Sequence, residues 1–150
     1  MSDHAIENAR AWAETIHEYY LAMDPETWDR FEDLKENGPT CQEDEDELAE
    51  LARILADFTD EDDAREKAQD SALEVELTGS WHHGEKPVAD SYIILLSTGG
   101  PALRIVGQLN KYSEPGSATL EWQDWGTPWT EFPADEDELL AFASVFYFGE

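Results

Sequence analysis

The apolar residues of this chain change period near residue 72, from the three- and four-residue steps of helices to the two-residue step of strands. Before that point Ile6, Ala9, Ala13, Ile16, Tyr20 and Met23 fall on one stripe, which predicts a first helix of about five turns that stops at Asp24-Pro25. Pro25 suits the opening turn of a second helix, with Asp24 as its cap. Trp28, Phe31 and Leu34 give that helix a buried face, and Asn37-Gly38-Pro39 breaks it. A third helix starts in Glu43-Asp44-Glu45-Asp46-Glu47, where negative charge meets the positive end of the helix dipole, and continues through Leu48, Leu51, Ala52, Leu55 and Phe58. A fourth, over residues 59–72, has alanines as its only apolar residues and reads as a solvated helix or a tether.

Beyond residue 72, Leu73, Val75 and Leu77 alternate with Glu74, Glu76 and Thr78, the pattern of a half-buried strand. Residues 91–98, 102–110 and 117–125 read as three more strands, separated by the turn sequences Gly99-Gly100-Pro101 and Glu114-Pro115-Gly116. A four-stranded antiparallel meander is the economical topology. The run Asp135-Glu136-Asp137-Glu138 then opens a C-terminal helix that Leu139, Leu140, Phe142, Val145, Phe146 and Phe148 make apolar around most of its circumference. The expected class is α+β, with residues 1–150 as one domain: an acidic helical part, 1–72, and an antiparallel sheet with its C-terminal helix, 73–150.

Charge narrows the function. There are 36 Asp and Glu against 9 Lys and Arg, a formal net charge of -27, and the basic residues are scattered singly. Such a surface repels phosphate, which excludes direct binding to nucleic acid or to an anionic membrane. At 41% hydrophobic and 11% aromatic the chain is nevertheless apolar enough to fold. Its longest aliphatic run, Ile93-Ile94-Leu95-Leu96, is far short of a membrane span, and its lone Cys41 cannot form an intrachain disulfide. A soluble, cytoplasmic protein is expected.

No segment offers catalysis or a cofactor. The Asp44-x-Asp46 and Asp60-x-Asp62 runs lack the glycine and closing glutamate of a calcium loop. His82 and His83 are adjacent on a strand end, so they face opposite ways, and no third ligand stands at zinc spacing. His4 and His17 fall on unrelated faces of the first helix, and nothing in the sequence partners them. Gly99-Gly100 precedes a strand and no lysine follows directly, which makes a hairpin turn of it and not a phosphate cradle. There is no nucleophile elbow, and acidic neighbours blunt the Cys41 thiol. The chain reads as neither an enzyme nor a metalloprotein.

Two features remain. Trp122, Trp125 and Trp129 crowd three of the six tryptophans into one short segment; Trp125 and Trp129 flank a Gly-Thr-Pro turn and either clamp that loop or offer a partner an aromatic anchor. The acidic helices serve solubility, adaptation to a salty cytoplasm, or mimicry of a nucleic-acid backbone. Carboxylates at i and i+4 stand about 6 Å apart along a helix axis, close to the separation of neighbouring phosphates on one strand. Rows such as Glu43, Glu47 and Glu50 with Asp57, or Glu7, Glu14 and Glu18, would therefore present a phosphate-like track. The candidate contact residues are Glu43, Asp44, Glu45, Asp46, Glu47, Glu50, Asp60, Glu61, Asp62 and Asp63.

The stretches ELTGSWHHG, YIILLSTGGPALRIVGQLNKY, EWQDWGTPWTEF and FYFGE resemble a family of small acidic proteins of phages and other mobile elements. The resemblance covers residues 74–150, and the tryptophan-rich stretch is its most specific part. It implies an origin in which acidic proteins block host defence, as DNA-mimicking anti-restriction and anti-CRISPR proteins do, and it carries over no catalytic residue. The leading expectation is a DNA mimic that blocks a DNA-binding protein of the bacterial host. The alternative is a non-enzymatic adaptor that binds a protein partner through the 125–129 loop or the last helix, or forms a homodimer through that helix, with charge serving solubility or salt adaptation.

Overall fold

The computed structural model describes residues 2–80, 88–98, 101–110, 112, 114–124 and 126–146. Four helices come first: α1 (Ser2–Ala22), α2 (Pro25–Asn37), α3 (Gln42–Leu55) and α4 (Glu61–Ser71). Five strands follow, β1 (Glu74–Ser80), β2 (Val88–Ser97), β3 (Ala102–Gln108), β4 (Thr119–Gln123) and β5 (Thr130–Phe132), and then helix α5 (Glu136–Ala143). The class is α+β, and among the described residues no helix is long and apolar enough to cross a membrane.

Helix ends follow local chemistry. The Asp24 carboxylate accepts the Glu26 amide at 2.9 Å ahead of Pro25, and Gly38 closes α2 with its amide on the Leu34 carbonyl. The Trp28 indole donates to the Ala22 carbonyl at 2.7 Å, so α2 satisfies one of the carbonyls that the end of α1 leaves open. At α4, Asp60 accepts the Asp63 amide at 2.8 Å while the Asp63 carboxylate accepts the Thr59 amide at 3.0 Å, a reciprocal cap.

The strands are antiparallel in chain order, β1-β2-β3-β4-β5. The register aligns Val75, Ile94, Ile105, Leu120 and Phe132 as one apolar row crossing all five strands, on the face that packs against the helices. Helix α1 is the hub: it packs against every other helix and against β3, β4 and β5. Its buried side chains include Ala5, Ala9, Ile16 and Ala22, three alanines that allow close approach of neighbouring backbones.

Three expectations need correction. The fourth helix is neither solvated nor a tether, because Ala64 and Ala68 are fully buried and α4 packs on α1. The sheet has five strands and not four; beyond β4 the chain returns as β5, pairing Thr130 with Trp122 and Phe132 with Leu120. The apolar row of β1 is not uniformly half-buried: Val75 joins the core, while Leu73 and Leu77 are exposed.

One tight contact fixes the middle of the sheet. Tyr92 lies across Gly107, its register partner, and its hydroxyl donates to the Ser117 carbonyl at 2.6 Å. A Cβ on Gly107 would stand 1.9 Å from the Ser117 oxygen and 2.6 Å from the Tyr92 hydroxyl, so only glycine fits. Burial, reinforced by the negative charge of Glu136, pushes the Tyr92 phenol far above its ordinary pKa, and it remains a donor. Gly107→Ala should therefore cost about 1–3 kcal/mol by overpacking, and Tyr92→Phe about 1 kcal/mol through the lost hydrogen bond, both read from urea midpoints.

Candidate functional site

The ten candidate carboxylates fall on α3 and at the start of α4, and the structure divides them by what they already do. Arg30, on α2, reaches across to α3. It donates from Nε and Nη2 to the two oxygens of Glu47, both at 3.0 Å, and from Nη2 to Asp44 at 3.2 Å, with Asp33 beside it at 3.6 Å. The Thr40 amide and hydroxyl also donate to Asp44, at 3.2 and 2.8 Å. Glu50 pairs with Arg53, which bridges to Glu18 of α1 at 3.3 Å. Asp60 and Asp63 form the cap of α4, and Asp63 also holds Lys67 at 3.3 Å. These five acids stitch helices together or start them.

The others are differently placed. Asp46 accepts only from Gln42, one turn earlier, at 3.0 Å, and Glu43, Glu45, Glu61 and Asp62 have no side-chain partner among the described residues. Glu43, Glu45, Asp46 and Asp62 are exposed. The rows drawn from helical spacing are thus interrupted, because Arg30 neutralises the Glu47 position and Arg53 the Glu50 and Glu18 positions. Glu7 and Glu14 of α1 are exposed as well.

Hydrogen bonds set the acid chemistry of the stitched group. The Thr40 hydroxyl and amide hold the Asp44 carboxyl below its ordinary range, Arg53 does so for Glu50, and the Thr59 amide for Asp63. A carboxylate with a depressed folded-state pKa adds stability above its unfolded pKa and loses it as pH falls through the folded value.

The remaining sequence candidates sort as follows. Trp122 packs against the core, and Trp125, His82, His83 and Gly99-Gly100 lie outside the described residues. Trp129 stacks on the Arg104 guanidinium at 3.9 Å, and Arg104 donates to Glu121 at 2.9 Å, so this indole clamps the loop onto the sheet face away from the helices. Gly126 takes the turn in the left-handed region (φ +73°), and the Thr127 hydroxyl donates to the Asp124 carbonyl at 2.8 Å. His17 is not without a partner: its Nδ1 lies 2.8 Å from a Glu138 oxygen, joining α1 to α5 across 121 positions of sequence. That pairing is invisible to a reading of helix faces. Leu139, Phe142 and Ala143 of α5 are buried within the chain.

Comparison with models of known families, with curated proteins and with solved structures finds no match.

Two outcomes follow from the paired acids. Arg30→Gln leaves Asp33, Asp44 and Glu47 facing one another; it should lower the melting temperature at low ionic strength, with the loss shrinking at about 1 M salt. Asp44→Asn should lower stability at neutral pH and flatten the acid limb of the stability curve, followed by urea midpoints from about pH 7 to about pH 3.

Proposed function

We propose that this chain is a DNA mimic of phage or mobile-element origin that acts by occupancy, placing carboxylates in the DNA-binding groove of a host protein such as a restriction enzyme, CRISPR effector or nucleoid protein. The observation that carries the reading is the division of labour among the acids. Glu43, Glu45, Asp46 and Asp62 are exposed near the starts of two helices packed on α1, of which α3 is tied to α2 by Arg30 and to α1 by Arg53, and α4 is capped by Asp60. Four of the six cations on α1–α4, namely Arg30, Lys35, Arg53 and Lys67, are committed to intramolecular pairs and leave that negative charge uncompensated. Fixed anions on rigid helices attract a cationic groove without an ordering cost at the moment of binding. The resemblance of the C-terminal half supplies the setting, and the net charge of -27 supplies the long-range attraction.

The test is capture from bacterial lysate by the tagged chain, with the captured DNA-binding protein then purified and titrated. Duplex DNA and rising salt should each release it. The fourfold variant Glu43→Gln, Glu45→Gln, Asp46→Asn, Asp62→Asn should weaken its binding more than about tenfold, with the melting temperature unchanged or raised because like charges have been removed. Unchanged affinity in that variant, or a partner indifferent to both DNA and salt, would overturn the proposal.

A further inference from the structure

Strand β1 is an edge of the sheet, and among the described residues nothing pairs with its outer side. Its two rows of side chains are of opposite character. On the face turned toward the helical layer stand Leu73, Val75 and Leu77, continuing the row systems of Ile94 and Tyr92, yet Leu73 is 59% and Leu77 47% exposed. The cause is geometric: the sheet is wider than its cover. Helix α1 lies over β3, β4 and β5, α5 over β4, and the apolar face of β1 overhangs them. On the other face stand Glu74 and Glu76, beside Leu95 and Ile93 of β2.

We infer that this edge receives an extended segment of a protein partner, added as a sixth strand whose residues alternate between apolar and basic. An added strand must place apolar side chains beside Leu73, Val75 and Leu77, where they extend the core face and cover what α1 leaves open. Its intervening residues then stand beside Glu74 and Glu76 on the opposite face, where lysine or arginine forms cross-strand ion pairs and an acid is repelled. The same charge argument disfavours a second copy of this chain, which would bring two bodies of net charge -27 together with glutamates on both edges. The register shift between Thr78 and Gly79 bounds the usable edge to residues 73–78, room for a segment of about five residues. This inference does not depend on the acidic helices, because none of its residues lies on α3 or α4.

The probe is a capped eight-residue peptide of alternating lysine and valine, compared with an isomer of the same composition in two blocks and with a glutamate–valine alternation. Backbone amide shifts of the isotope-labelled chain report where each binds. The alternating lysine peptide should perturb residues 73–78 and bind about tenfold more tightly than its block isomer, since only the alternating order satisfies both faces. Leu73→Lys with Leu77→Lys, at positions exposed enough to leave the fold intact, should abolish that preference; Glu74→Lys with Glu76→Lys should transfer it to the glutamate peptide. Absence of binding, equal binding of the two isomers, or shifts confined to the acidic helices would overturn the inference. Sedimentation completes the test: self-association that Leu77→Lys removes would assign the edge to a second copy instead.

Discussion

Everything else in the molecule depends on α1 burying its apolar stripe while the acids around it repel one another. With 36 acidic and 9 basic side chains, the electrostatic energy of the compact state is unfavourable, and apolar burial must exceed it. The sheet contributes one continuous row from Val75 to Phe132, and the helices contribute Ile16, Leu34, Ile54 and Phe142. The small residues of α1 and α4 matter as much as the large ones. Ala5, Ala9, Ala64 and Ala68 are fully buried, which sets short distances between helices whose outer faces are charged.

Much of this was legible in the residues, and the exceptions share one cause. Periodicity and end signals located α1 to α3 and α5 because they act within a few residues: Asp24-Pro25, the break at Gly38, the acid run ahead of Leu139. The docking of α4 was not legible, since a buried alanine leaves no amphipathic signature. Strand β5 leaves no sequence signature because three residues are too few to show alternation. The exposure of Leu73 and Leu77 is not legible either, because alternation tells which side chains share a face and says nothing of what covers it. The pairing of His17 with Glu138 is likewise decided by packing between distant elements.

The candidate surface was legible as a composition and not as a geometry. Helical spacing placed Glu43, Glu47 and Glu50 on one row, but whether a row is available for binding depends on which cations reach it. Arg30 arrives from α2 and Arg53 lies one turn beyond Glu50; both facts belong to the packing of α1, α2 and α3. The acid-rich starts of α3, α4 and α5 also meet the positive end of the helix dipole, a small favourable contribution set against the repulsion among the acids themselves.

The reach of α1 also orders events during synthesis. The strands pair only with their neighbours in sequence and can zip as they leave the ribosome, whereas α1 emerges first and its partners β3, β4, β5 and α5 emerge last. Its stripe can therefore be covered only in part, by α2, α3 and α4, until the sheet and α5 follow. The charge on the nascent helices keeps those unfinished chains apart, protecting a polypeptide that cannot complete its core until the sheet and α5 have joined α1.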